Sequence, residues 1–446
     1  MIPALRRALA GVAVCLGPSA RAQEALPPAG APPAAAVVLV RAGRVFDSEH
    51  GTFLPARDLV IRGERIDAVG ERLAVPPGAR VIDLSRYTLL PGLIDAHTHL
   101  LTLERPGAGP AEVLSAVAAE GTPLRALHGA ARARTFLEAG ITTVRDLGNA
   151  GRFGDVALRT AIADGSVVGP RMFVSGPGIS PEGGQYAGLQ PAARALAAEE
   201  YAIVHNTAEA ADAVRQNAVG GADVIKVYAE STPNRGVLSL DELRAVVEAA
   251  RRHGLRVAAH ATSDAAVWRA AQAGVASIEH AYDVSDSTLA LMRRNGVALV
   301  PTDTDSLLIV RITSQPDYVG PRPGPADITR YLAPSRDRLR RALRAGVSVV
   351  AGSDMYLDLR GPQGAAAKRV LFAYAAAGMP NVQVLQAATV NAARLLGRER
   401  ELGVVRAGAL ADLVAVEGDP GTDLGALEHV RFVMQRGAVV TGPPTP

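Results

Sequence analysis

This 446-residue chain is predicted to be an α/β protein, a (β/α)8 barrel with a small β-sandwich domain built from its N- and C-terminal segments. Three observations lead there. Between Leu89 and Gly378, eight short apolar runs alternate with helix-like segments, which fits a barrel better than an open sheet. Four of the runs follow a glycine preceded by Ala or Asn, at Gly140, Gly274, Gly296 and Gly346. Helix C-caps feeding strands look like this. The residues capable of chemistry collect at the C-terminal ends of the runs, where barrel enzymes keep them.

The elements follow in order. Residues 1–22 read as an export signal. Arg6-Arg7 opens it, Ala8 to Leu16 is apolar, and Ala20-Arg21-Ala22 offers a cleavage site before Gln23. The expectation is an exported protein, periplasmic or secreted. Residues 23–36 form a Pro/Ala-rich flexible leader. Val37–Phe46, Asp58–Val69 and Arg80–Leu84 read as strands with polar turns, the first part of the β-domain (37–88). The barrel domain covers 89–396. Its strands are Leu93–Asp95, Ile141–Arg145, Arg171–Val174, Val224–Val227, Arg256–Ala259, Ala276–Ile278, Ala298–Val300 and Ser348–Ala351. Helices are clearest at Leu240–His253, Ser263–Ala273 and Asp286–Asn295, with a terminal one at Val384–Leu396. Strand patterns return at Ala411–Val416 and Val430–Val440, the second part of the β-domain (397–441). Neither end has enough strands to bury a core alone, so the two are expected to pair.

Composition narrows the function. Aromatics are 4% of residues against 48% hydrophobic overall, so Ala and aliphatic side chains must build the core. The net charge of +3 comes from Arg6, Arg7 and Arg21; without them, basic residues equal the 44 acidic ones. A neutral mature surface with no basic run interleaved with aromatics excludes a nucleic-acid partner, and it permits a homo-oligomer. No apolar run after the signal is long enough to span a membrane. The only cysteine, Cys15, lies inside the signal, so the mature protein has no disulfide and no thiolate chemistry.

Lys226 and Lys368 are the only lysines among 47 basic residues. A guanidinium stays charged, whereas a buried amine can become neutral. Lys226, at the end of the fourth run, therefore suggests amine chemistry: a Schiff base, a base, or a carbamate formed with carbon dioxide. Around it the runs end in metal-ligand residue types. His97 and His99 follow the first run, and residues i and i+2 of an extended chain face one side, so both imidazoles can reach one metal. His260 ends the fifth run, His280 follows the sixth, and Asp354 follows the eighth. Singly, each could be a hydrogen-bonded rim residue, a helix N-cap or a solvated charge. Their common position at one rim favours a metal site. For His50, His128, His253 and His429 the surface or helix-end reading is better. His205 lies near the expected mouth. Arg145 and Asp146 read as a structural ion pair. The loops expected above the rim are Gly176 to Gly188, a Gly/Pro-rich lid, Thr302 to Pro325 with Asp303, Asp305 and Arg311, and the stretch with Tyr356, Asp358 and Arg360. An arginine there could clamp a substrate carboxylate.

Several segments together carry a resemblance. They are Pro91-Gly92-Leu93-Ile94-Asp95-Ala96-His97-Thr98-His99, Gly140-Ile141-Thr142-Thr143-Val144-Arg145-Asp146 and Gly221-Ala222-Asp223-Val224-Ile225-Lys226-Val227-Tyr228. With them go Ser277-Ile278-Glu279-His280, Gly352-Ser353-Asp354 and Gly408-Ala409-Leu410-Ala411-Asp412-Leu413. From Val37 to Val440 the chain resembles the amidohydrolase superfamily of TIM-barrel enzymes, nearest its imidazolonepropionase-like and Xaa-Pro-dipeptidase-like members. The resemblance implies two divalent metal ions. His97, His99 and Asp354 would hold one, His260 and His280 the other, and Lys226, carboxylated from carbon dioxide or bicarbonate, would bridge them. A hydroxide between the metals would attack a carbonyl, with Asp354 moving the proton to the leaving group and Tyr228 steadying the oxyanion or a substrate carboxylate. The mixed ligand set suits zinc, though manganese, cobalt or iron would also fit. Where several members carry a histidine after the paired glycines, this chain has Gln185.

The expectation is an exported metal-dependent amidohydrolase acting on a small molecule or short peptide: a dipeptide or an N-acyl amino acid, cut in carboxypeptidase or prolidase fashion. The alternatives are a mononuclear cyclic-amide hydrolase or deaminase, a lactone or ester hydrolase on the same site, and a non-catalytic metal-binding barrel.

Overall fold

The computed structural model describes residues 37–186, 194–231 and 234–442. The expected signal (1–22) and leader (23–36) lie outside them, as do the last two residues of the Gly176–Gly188 loop. Four strands open the chain: β1 (Val37–Asp47), β2 (Thr52–Arg62), β3 (Arg65–Gly70) and β4 (Arg80–Pro91). The apolar stretch expected as one strand from Asp58 to Val69 is two. Gly63 adopts φ +56° and turns the chain, so that Arg62 pairs with Arg65 across a hairpin. β4 runs parallel to β1 past a bulge at Gly43, where any Cβ would lie 2.0 Å from the Ser85 carbonyl oxygen.

The chain then alternates. β5 (Leu93–Thr98), β6 (Ile141–Asp146) and β7 (Arg171–Val174) pair in parallel. β8 (Gly178–Ser180), β9 (Tyr201–Ile203) and β10 (Val224–Tyr228) follow, then the short hairpin β11 (Glu230–Ser231) and β12 (Gly236–Val237). β13 (Arg256–Ala261), β14 (Ser277–His280) and β15 (Ala298–Val300) complete a parallel sheet in the order β15-β14-β13-β10-β8-β9. β8 is a correction, because it falls within the segment expected as a lid. Gly178 allows it: a Cβ there would meet the Tyr228 ring at 2.6 Å, so only glycine lets this segment pack against β10. The eighth run forms no regular strand, but its backbone bonds to the runs on both sides. Leu299 N donates to Ser348 O (2.8 Å), Val350 N to Leu299 O (2.9 Å) and Ala96 N to Ala351 O (2.8 Å). On the other side, Asp223 N donates to Val174 O at 2.7 Å.

Helices cover the strands. Serine caps start three of them, Ser239 in a capping box with Glu242, and Ser263 and Ser285 each accepting from the third residue of its helix. The expected terminal helix Val384–Leu396 is two, Asn381–Ala387 and Val390–Leu395. The carbonyls of Ala387 and Ala388 instead accept from Ala351 N and Ile94 N, tying the helix break to two strand ends.

The last strands are β16 (Leu413–Val416), β17 (Val430–Gln435) and β18 (Ala438–Thr441). The run expected unbroken from Val430 to Val440 is a hairpin, because Arg436 (φ +50°) and Gly437 (φ +72°) make a two-residue turn. β16 pairs antiparallel with β4, Leu413 opposite Pro91. The two ends of the chain therefore share one seven-stranded sheet, β18-β17-β16-β4-β1-β2-β3. Phe432, Met434, Leu59, Ile61 and Leu413 bury its face. The whole is a mixed α/β fold in which parallel strands deliver their C-terminal ends to one side.

Candidate metal centre

A cavity of ≈ 420 Å³ opens at those strand ends, and His97, His99, Lys226, Tyr228, His260, His280 and Asp354 all line it. β5 supplies His97, the next turn His99, β10 Lys226 and Tyr228, β13 His260, β14 His280, and the loop after the eighth run Asp354. His280 (φ +75°) and Asp354 (φ +53°) both hold left-handed backbone, which non-glycine residues seldom adopt.

His97 Nε2 lies 3.3 Å from His99 Nε2, and the Asp354 Oδ1 atom lies 3.4 Å from the first and 3.2 Å from the second. His280 Nδ1 is 3.9 Å from Asp354 Oδ2. The His260 and His280 ring centres are 4.7 Å apart. Lys226 is fully buried; its Nζ makes no hydrogen bond to the described residues and sits 5.0 Å from the Tyr228 ring centre.

The partners of the far nitrogens set the tautomers. His97 Nδ1 meets the Glu279 carboxylate at 2.7 Å. That carboxylate can only accept: despite burial, Arg145 and His97 hold its pKa down to about 2. His99 Nδ1 donates to Gly148 O at 2.9 Å. Both Nδ1 atoms thus carry the proton, and both Nε2 atoms turn lone pairs toward each other and toward an anionic carboxylate. His280 Nδ1 donates to the Thr302 hydroxyl (2.7 Å), whose own proton goes to Pro301 O. His260 Nε2 is buried with no hydrogen-bond partner among the described residues. Lone pairs converging on a carboxylate need a cation between them, and the donor set of imidazole and carboxylate suits a divalent one.

The electrostatics agree. Burial, then the nearby Lys226, lowers His97 to about 4 and His260 to about 3. His280 falls well below its usual value through burial and His260. These imidazoles are neutral and ligand-ready at neutral pH. Asp354, although buried, is held far below the carboxylate range by His97, His99 and His280. At His99 burial opposes the charged form, but the Asp354 hydrogen bond and charge outweigh it and raise the pKa. A proton there would do part of the work a cation does. Burial lowers Lys226 to about 8, against the pull of Glu279 and Asp354.

Some expectations need correction. Arg145 does not pair with Asp146. Adjacent strand residues point to opposite faces, so Arg145 reaches Glu279 (2.9 Å) and Ala96 O (2.6 Å), while Asp146 accepts from Leu100 N and Thr98. His205 is exposed between Glu182 and Glu209 and does not line the cavity. Nor do Arg311 and Arg360; Arg360 pairs with Asp317. The arginine that lines the cavity is Arg125, already bound to the buried Glu200. The Tyr228 hydroxyl donates to Asn149 Oδ1 (3.0 Å), and Asn149 Nδ2 donates to the Tyr201 hydroxyl (2.8 Å). Sequence reasoning passed over Glu279, Asn149, Arg125 and Glu200. Glu279 alone left a signal, a carboxylate in an otherwise apolar run beside His280.

A parallel α/β scaffold with buried imidazoles and a carboxylate meeting at its strand ends defines a metal-dependent hydrolase. The chain belongs to the amidohydrolase family, whose sequence profile matches residues 88–442, and it acts on carbon–nitrogen amide bonds. It is 28% identical over 440 residues to ochratoxinase of Aspergillus niger, covering 92% of this chain and 88% of that enzyme. It is 28% identical over 395 residues to imidazolonepropionase of Symbiobacterium thermophilum, covering 81% and 84%. Among solved structures it resembles a Xaa-Pro dipeptidase with methionine bound in the active site, at 29% identity and a TM-score of 0.77, covering 91% of this chain and all of that one.

Proposed function

We propose that the protein holds two divalent cations, zinc by the chemistry of its ligands, and cleaves the amide bond of a dipeptide or N-acyl amino acid. One observation carries the reading: the lone pairs of His97 and His99 converge on Asp354 with 3.2–3.4 Å between ligand atoms. In this reading His97, His99 and Asp354 hold one ion, and His260 and His280 the other. Lys226 would add a carboxylate-like ligand for both as a carbamate, formed when the Nζ lone pair adds to carbon dioxide and the amine proton leaves to water. That step needs a neutral amine, and a pKa of about 8 leaves roughly a tenth of it neutral at pH 7.

Bound ions supply Lewis acidity, which polarises a carbonyl and acidifies water. The protein's own groups do the rest. Asp354, ionised at neutral pH, takes the proton of the attacking water and hands it to the leaving nitrogen. Tyr228, kept as the neutral phenol by burial, faces the carbonyl oxygen as charge builds on it. In the free protein its one hydroxyl proton goes to Asn149 Oδ1, which holds the ring in place, and that proton turns from Asn149 to the carbonyl oxygen as charge develops.

The same reading has the parallel strands close as a (β/α)8 barrel over 89–396, with 37–88 and 397–441 folded as a β-sandwich. It has the chain exported after loss of residues 1–22, which N-terminal sequencing of the recovered protein tests. Similarity to a Xaa-Pro dipeptidase and to ochratoxinase supports amide substrates.

The test is metal analysis paired with a mass-spectrometric hydrolysis screen, using mature protein supplied with zinc and bicarbonate. Two metals per chain and cleavage of dipeptides or N-acyl amino acids are expected. Two metals without cleavage of any amide would move the activity to esters or lactones. A second reading, a single ion serving a cyclic amide or a deamination, is favoured by one observation. His280 supplies a ligand atom to the same cluster as His97 and Asp354, all within 4.8 Å. One tightly bound metal, with Lys226→Arg tolerated, would select it.

A further inference from the structure

Beside the metal cluster lies a second, larger cavity of ≈ 570 Å³. It shares the residues Tyr282, Asp354 and Tyr356 with the first, so the two chambers meet at the carboxylate that faces the histidines. Their walls differ. The first chamber carries the imidazoles, Lys226 and the Arg125–Glu200 pair. The second is walled by Leu308, Ile309 and Ile312 on one helix (Ser306–Thr313) and by Ile328 and Tyr331 on another (Pro325–Arg344). Among the described residues no Arg or Lys lines it. Its one carboxylate besides Asp354 is Asp327, which is taken by Gly324 N and by Arg330. Arg338 is buried, pairs with Asp303 and lies 5.4 Å from the Tyr282 ring centre, but does not itself line the chamber. Tyr331 and Tyr282, which also line the chamber, are 71% and 55% exposed, so it opens outward with an apolar lip.

A roomy apolar cavity contiguous with a reactive cluster is the usual form of a ligand subsite. Asp354 fixes which half of a substrate it receives. The carbonyl belongs against the imidazoles of the first chamber, and Asp354, which serves the leaving nitrogen, stands where the two chambers meet, so the amine half extends from that junction toward the second chamber. We infer that the second chamber binds the leaving half of the scissile amide. It selects amine components bearing a large aromatic or branched aliphatic side chain over small or charged ones. The inference rests on the amide-hydrolase reading above.

The test uses the zinc-loaded full-length mature protein and two matched substrate series. In one, the acyl half is constant and the amine half is glycine, alanine, leucine, phenylalanine or glutamate. In the other, the same variation is made in the acyl half. Expected is a rise in kcat/KM of at least about tenfold from alanine to phenylalanine in the first series only. Ile312→Arg places a cation in the chamber, and the phenylalanine-to-glutamate preference should fall about tenfold or more, with metal content and Tm measured alongside. Because that variant could fail to fold, the wild-type protein supplies a second readout. Phenylalanine as product should inhibit at a concentration about tenfold lower than glycine does. A preference confined to the acyl half overturns the assignment, as does a phenylalanine preference indifferent to Ile312→Arg in folded protein. If no amide in either series is cleaved, the amide-hydrolase reading itself fails, an outcome distinct from both.

Discussion

The Nδ1 atom of His97 lies 2.7 Å from Oε2 of Glu279, and the same carboxylate meets Arg145 at 2.9 Å through its other oxygen. All three side chains are buried. The triad orients one candidate ligand, fixes its tautomer, and balances a guanidinium that otherwise would be unpaired in the core. Glu279→Gln should therefore act twice. Metal affinity should drop about 10- to 100-fold, the usual effect of losing a carboxylate behind a histidine ligand. Stability should drop by about 3–5 kcal/mol, because Arg145 is left buried without its countercharge. Metal titration and thermal denaturation of metal-free protein read the two separately.

Lys226→Arg fixes a positive charge at this position and removes the amine chemistry. Under the two-metal reading, metal content falls from two ions per chain to one, and bicarbonate no longer raises activity. Inductively coupled plasma mass spectrometry on dialysed protein checks this. An unchanged stoichiometry of two would remove Lys226 from the ligand set.

Tyr228→Phe deletes the hydroxyl and leaves the ring in its contact with His260, whose ring centre is 5.2 Å away. If the hydroxyl steadies charge on the carbonyl oxygen, kcat should fall about 100-fold with KM nearly unchanged. Asn149→Ala removes the partner that aims the hydroxyl. It should lower kcat less, by about tenfold, leaving the hydroxyl present but loosely directed. Steady-state kinetics on both variants distinguish a catalytic hydroxyl from a merely structural one, which would alter Tm and spare kcat.

Lys368, the other lysine, does not line the histidine-bearing cavity, and it predicts a pH effect of its own. It is buried, its Nζ donates to Leu427 O at 2.6 Å, and burial lowers its pKa to about 8, with Glu428 acting weakly the other way. In the unfolded chain the value is about 10.4. Between these values the unfolded state binds more protons than the folded one, so stability rises with pH across that window. Below about pH 8 the full penalty applies, on the order of 3 kcal/mol from the two-unit shift. Lys368→Met should flatten the rise between about pH 8 and 10. Chemical denaturation of both proteins across that range measures the difference. A parallel pH dependence in both would mean that Lys368 is not the titrating group.

Much of this molecule is legible in its sequence. The parallel strands announce themselves as apolar runs after Gly140, Gly274 and Gly296. His97 and His99 sit two apart on an extended chain, so their shared direction follows from strand geometry alone. Hydrophobicity alone misleads where one residue changes the meaning of a run. Gly63 and Arg436-Gly437 each reverse a segment whose hydrophobicity looks continuous. The helix break after Ala387 was invisible, because its cause is a pair of strand amides, Ala351 N and Ile94 N, from elsewhere in the chain.

What local order determines here is therefore the alternation of strand and helix, and with it the presence of His97, His99, Lys226, His260, His280 and Asp354 at run ends. Those properties depend on residues within a few positions of one another. Which groups touch was decided by tertiary structure. Arg145 meets Glu279 across 134 positions and Tyr228 meets Asn149 across 79. Arg125 is claimed by Glu200, and the walls of the apolar chamber come together from two helices and a loop. Strand neighbours and register set those contacts, and a buried charge takes whichever partner the packed strands bring within reach.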